Sequence, residues 1–176
     1  MFLNAANGPC SDVHGKPIYY KDAMADAEKW LLAMEEEMMS LQEHGVWELV
    51  NLPEDQQPIK CKWVYNIKCH MDNCLICYKA RLVAKGYSQI LSVNYEETFA
   101  PIARLDTLQL LLNLAAIFDL EVHQINIKTT YLHRDLEEEI YMDQPEGFVE
   151  KGSEHKVCCL NKALYSLKQV GQQWFK

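Results

Sequence analysis

Nowhere in the 176 residues is there an apolar run approaching the roughly 20 positions that a membrane-spanning helix needs. The opening MFLNAANGPCSD has no basic region followed by an apolar stretch, so it does not read as a secretory leader. A disulfide framework is missing too. Seven cysteines, an odd number in a chain without such a leader, predict reduced thiols and an intracellular protein of the cytosol or nucleus. No internal repeat and no low-complexity linker divides the sequence. Positive charge is scarce: 17 Lys and Arg stand against 25 Asp and Glu, a net charge of -8, which argues against simple nucleic-acid binding because that rests on neutralising phosphates.

What is present is the composition of one globular domain of ordinary size, 49% hydrophobic and 24% charged. The charge is unevenly spread. Lys60, Lys62, Lys68, Lys79, Arg81 and Lys85 cluster with only Asp72 among them, whereas 26–55 and 135–154 carry most of the acid, so one stretch is suited to face phosphate.

From Lys21 to about Glu43 the residues Met24, Ala27, Leu31, Met34, Met38 and Leu41 recur at steps of three and four, which predicts a helix with one core-facing stripe, ended by Gly45. VWELV (46–50), CKWVYNIKC (61–69) and ICYKARLVAKGY (76–87) are rich in β-branched and aromatic residues and predict antiparallel strands. The last two form a hairpin turning at Met71–Cys74, with the basic cluster on its arms. Asp106 with Gln109 three residues on has the form of a capping box, and LLLNLAAIF behind it is apolar on nearly every face, which predicts a buried helix. EVHQINI (121–127) reads as a strand entering the core. IYM (140–142), the turn QPEGF and KVCCL (156–160) read as further strand, and the residues from about Leu167 as a helix cut short, so that the pattern predicts a truncated chain.

The joint order and spacing of AMEEEMMSL, VWELV, KWVYNIK, YKARLVAKGYSQ, NYEETFAPIARL, HQINIKTTYL, EEEIYMDQPEGF and ALYSLKQ with Trp174 resembles the reverse transcriptases of copia-type long-terminal-repeat retrotransposons, from about Trp30 onward. The resemblance implies an α+β fold, the fingers and partial palm of a right-hand polymerase, mainly antiparallel strands with flanking helices. Residues 21–176 would be a truncated copy of that domain within a Pol polyprotein, and residues 1–20 a poorly ordered N-terminal segment. It also implies an RNA or DNA template-primer and a dNTP as partners, no membrane, and Mg²⁺ as the cofactor of the intact family. There, paired metals stabilise the attacking and leaving oxygens, held by one aspartate at the end of a palm strand and two on a later Tyr-x-Asp-Asp hairpin.

Carried over residue by residue, the first of those aspartates falls on Asn126, whose neutral carboxamide cannot balance two divalent ions as a carboxylate does. The 176 residues hold no Tyr-x-Asp-Asp. The chain is therefore expected to lack polymerase activity and to hold no cofactor. Glu137, Glu138, Glu139 and Asp143 lie nearby, but an acidic run of this kind is the composition of a solvated face. Tyr131 matches the aromatic position beneath the incoming sugar. Lys79, Arg81 and Lys85 match the basic finger strand that holds a triphosphate, although solvent-facing charge on alternate strand positions gives the same pattern. Gln169 belongs to the LKQ element that approaches nucleotide and template.

Elsewhere the sequence departs from the family: Asn73, a position near Ser92, Arg134 and Ser166 lack usual glycines, Asn94 replaces an aspartate, and Val170, Gly171 and Gln172 stand where Ala-Pro-Arg is usual. Glycine serves at several such sites for backbone conformations that other residues reach at a cost. Damage spread this widely points to drift in an unselected copy. Three other readings compete: a zinc module built on Cys69, His70, Cys74 and Cys77, which lacks an evident second ligand pair; part of an active polymerase completed by a longer reading frame; and a host-recruited fragment binding RNA or protein without catalysis.

Overall fold

The computed structural model describes residues 16–69, 76–101, 103–125, 132 and 134–175. A short helix α1 (Tyr20–Ala23) runs through a 3₁₀ turn at Met24–Asp26 into α2 (Ala27–Glu43). The expected continuous helix is thus broken at Asp26, which leaves the helical region (φ -124°, ψ 54°) to become the N-cap of α2. An acidic group at that position suits the positive end of the helix dipole. Its carboxylate is held by Lys29 Nζ at 2.9 Å. Gly45 terminates α2 as expected, with φ +60°.

α2 buries Trp30, Ala33, Met34, Met38 and Leu41. Leu31, expected on the stripe, is 38% exposed. Trp30 fills that side of the helix instead, because it sits between two tyrosines of the hairpin, 5.0 Å from the Tyr65 ring and 4.9 Å from Tyr78, both edge-on.

That hairpin is formed by β2 (Cys61–Cys69) and β3 (Ile76–Ala84), paired antiparallel from Cys61↔Ala84 to Cys69↔Ile76. Alternation decides its faces. Trp63, Tyr65, Ile67, Ala80 and Leu82 are buried, and α2 packs against β3, while Lys62, Val64, Lys79 and Arg81 are exposed. The outward edge of β3 is capped: the Leu82 amide donates to Glu37 Oε1 at 3.3 Å and the Ala84 amide to the Tyr165 carbonyl at 3.1 Å.

β1 (Trp47–Val50) is an antiparallel strand, as expected, but lies outside this ribbon. It pairs with β5 (Val157–Lys162), which also pairs with β4 (Asp135–Met142), giving a second antiparallel sheet of order β1-β5-β4. The two sheets are stitched through Ile59, whose amide donates to the Tyr141 carbonyl at 2.8 Å and whose carbonyl accepts from Asp143 at 2.9 Å. Trp63 Nε1 donates to the Glu146 carbonyl at 3.0 Å. On β4, Glu137 and Glu139 are exposed as expected of the acidic run, whereas Glu138 and, just past the strand, Asp143 are half-buried.

Two expectations fail in the segment between the sheets. Helix α3 (Leu105–Ile117) forms, but none of its residues is buried; Leu111 is 58% and Ile117 73% exposed. No described strand or helix makes an extended contact with it, so its apolar circumference meets no complementary surface. Its N-cap is Arg104 without a side-chain cap bond, and Asp106 lies inside the first turn. Residues 121–125 are not a strand but exposed, irregular chain, and no strand among the described residues supplies them with a hydrogen-bond ladder. Positions 126 and 127 lie outside the described residues. Last comes α4 (Val170–Phe175), where a terminal helix was expected.

Candidate nucleic-acid interface

In an antiparallel pair, residues directly opposite one another share a face. On the outer face of the ribbon Lys62 stands opposite Val83, Val64 opposite Arg81 and Asn66 opposite Lys79. Lys79 and Arg81 are neighbours along β3, about 6.6 Å apart by strand rise. Lys16 adds to this face from far along the chain, its Nζ donating to Asn66 Oδ1 at 2.9 Å. Among the described residues no carboxylate forms an ion pair with Lys62, Lys79 or Arg81. The guanidinium of Arg81 lies 5.8 Å from the centre of the Tyr165 ring, a cation–π contact that orients its planar fork.

The nearest structural acid is Glu37, at the β3 edge. Burial pushes its carboxyl above the usual range, opposed by the Leu82 amide and, more weakly, by Arg81 and Lys79. This carboxylate serves the backbone, and the ribbon's outer cations keep their donors for solvent or a ligand. A strand-borne row of ammonium and guanidinium groups that make no close ion pair among the described residues can hold phosphate oxygens.

The residues singled out from sequence do not all meet here. Lys79 and Arg81 share the outer face. Lys85 lies past the buried Val83 and Ala84, at the base of β3; its amide donates to the Lys60 carbonyl at 2.7 Å and its own carbonyl accepts from Ser88 Oγ at 2.7 Å. Gln169 is 0% exposed, away from any open surface. Asn126 and Tyr131 lie outside the described residues. Lys62 belongs to the basic cluster of the sequence, but only the register places it on the outer face, opposite Val83. Lys16 carried no signal at all, being 50 positions from Asn66.

Among the described residues no group of three or more His, Cys, Asp and Glu is placed to hold a metal ion. Asn126, which the family resemblance places at the first aspartate position, carries a neutral carboxamide, a donor that does not fit a pair of magnesium ions. Of the four side chains in the zinc reading only that of Cys77 is described, a free thiol whose Sγ donates to the Tyr78 carbonyl at 3.8 Å. Burial pushes the Cys61 thiol up to about 11 and the Cys158 thiol to about 12, which disfavours the thiolate. No helix among the described residues is long and apolar enough to cross a membrane.

A two-stranded basic ribbon backed by one helix and joined to a three-stranded sheet is an α+β unit suited to nucleic-acid backbone. Residues 44–176 match the family described as reverse transcriptase (RNA-dependent DNA polymerase), and the chain belongs to that family. Its relatives are of the copia type. The chain is 49% identical over 162 residues to the retrovirus-related Pol polyprotein from transposon TNT 1-94 of Nicotiana tabacum, covering 91% of this chain and 12% of that protein. It is 37% identical over 154 residues to the Pol polyprotein from transposon RE2 of Arabidopsis thaliana, covering 87% and 10%. For transposon RE1 of the same plant the identity is 36% over 149 residues, covering 84% and 10%. The chain thus spans about a tenth of the length of these relatives. No solved structure matches it.

Proposed function

We propose that this chain is a non-polymerising reverse-transcriptase remnant, corresponding to fingers and partial palm, whose ribbon holds the phosphate backbone of RNA or DNA. The observation that carries the binding half is the outer face of β2–β3, where Lys62, Lys79 and Arg81 stand exposed and unpaired among the described residues while the opposite face is sealed on α2. Such a face reads no sequence; it neutralises phosphates and releases their counter-ions. The catalytic half rests on chemistry at one position: Asn126 contributes a neutral oxygen where nucleotide addition needs an anionic one.

Two measurements test the two halves separately. RNA affinity of the chain is expected to fall steeply with salt, and the double change Lys79→Ala with Arg81→Ala to weaken it about tenfold and flatten the slope by about two contacts. Binding that ignores both salt and these residues would refute the interface. Primer extension on an RNA template with magnesium is expected to give no product. A lengthened primer made by the chain with Asn126 in place would refute the loss of catalysis.

A further inference from the structure

The described buried polar side chains are Gln89 and Asn94, in the 86–95 loop, and Gln169 and Gln173, in the 163–173 segment. Burying a carboxamide is unfavourable unless both its ends are bonded. Gln169 meets that demand. Its Oε1 accepts from Gln89 Nε2 at 3.1 Å, and its Nε2 donates to the Asn94 carbonyl at 3.0 Å and toward Glu138 Oε2 at 3.5 Å.

Gln89 is held in turn. Its Oε1 accepts the Lys168 amide at 2.8 Å, and its carbonyl accepts from Lys168 Nζ at 3.2 Å. That ammonium also donates to the Tyr95 hydroxyl at 3.0 Å. Asn94 closes the loop on itself by accepting the Ile90 amide on Oδ1 at 3.0 Å.

The backbones touch as well. A Cβ built on Gly86 would stand 2.0 Å from the Ser166 carbonyl oxygen, so this approach is open to glycine alone.

We propose that Gln169 is a clamp, with Gln89 as its partner, and that its carboxamide is spent inside the fold to fix the 86–95 loop on the 163–173 segment. Gln169 is on this reading a positioning residue, not a nucleotide contact. What it positions is the base of β3, because the same segment supplies the Tyr165 carbonyl to Ala84 and the Tyr165 ring to Arg81. The inference is independent of whether the ribbon binds phosphate.

Gln169→Glu tests it with almost no change of shape. The substitution replaces a donor by an acceptor facing the Asn94 carbonyl and the Glu138 carboxylate, while the Lys168 ammonium is turned toward Tyr95 and the Gln89 carbonyl. The buried carboxyl would have its pKa raised in the folded chain. Stability is then retained below the unfolded pKa and lost as pH rises through the folded one. At neutral pH the unfolding equilibrium constant is expected to rise about tenfold to a hundredfold, shrinking toward no effect in acid. A variant that folds in acid and is wholly unfolded at neutral pH supports the clamp equally. A change of less than about twofold at every pH, as at a solvent-facing site, overturns the clamp.

Hydrogen exchange on the unmodified chain supplies a second test. The Lys168 amide is expected to exchange about a hundredfold or more slowly than an open loop amide, and Gln89→Ala to release it while β2 amides stay protected. Exchange at the open-loop rate in the unmodified chain also overturns the clamp.

Discussion

Helices α2 and α3 present a contrast. α2, 17 residues with three consecutive glutamates, buries five of its side chains. α3, 13 residues dominated by leucine, buries none. The less apolar helix is the embedded one. Burial is a property of two surfaces: α2 meets a ribbon whose inner face offers Tyr65, Tyr78, Ala80 and Leu82, whereas no described strand or helix packs extensively on α3. Its leucines form, with neighbours such as Phe99, Phe118 and Leu120, an exposed apolar tract of the kind that marks an association surface.

Three substitutions sharpen or break this contrast. The largest effect is expected from Trp30→Ala, which empties the slot between Tyr65 and Tyr78 and should cost about 3–5 kcal/mol in chemical denaturation. Next is a gain. Ser166 sits at φ +69° and Ser92 at φ +64°, both in the left-handed region and both where the family resemblance implies glycine, the latter at a neighbouring position. Ser166→Gly should stabilise the chain by about 1 kcal/mol, by relief of strain in the body that α2 belongs to. No gain in the denaturation midpoint would show that this backbone is unstrained. Smallest is Leu111→Ala on α3, expected to move stability by less than about 0.5 kcal/mol while lowering binding of an apolar dye. A loss as large as that at Trp30 would mean that α3 is packed as firmly as α2, and the contrast would be gone.

Much of the body was legible because its signals are local. CKWVYNIKC and ICYKARLVA alternate in period two and become β2 and β3 with their inward residues in the core. The QPEGF turn appears with Gly147 at φ +87° and the Phe148 amide bonded to the Pro145 carbonyl at 3.0 Å. What sequence could not give was partnership between distant segments. VWELV reads as an antiparallel strand and is one, but its partner β5 lies more than 100 positions on, because register and sheet membership depend on surfaces that periodicity does not encode. α3 shows the same limit from the other side, since an apolar run says what a helix needs and not what is there to meet it. At the candidate site, Lys79 and Arg81 could be placed by alternation alone. Alternation does not show that Val83, beyond Arg81 on the same face, is covered, nor that Gln169 is buried by contacts some 80 positions away.

The capped edge of β3 bears on how copies of this chain would meet. A strand edge normally offers its outward amides to any passing strand, which is how sheets grow between molecules. Here the Glu37 carboxylate and the Tyr165 carbonyl already occupy the amides of Leu82 and Ala84. Growth of a cross-chain sheet is hindered along that stretch, which leaves the exposed leucines of α3 as the surface through which copies would adhere.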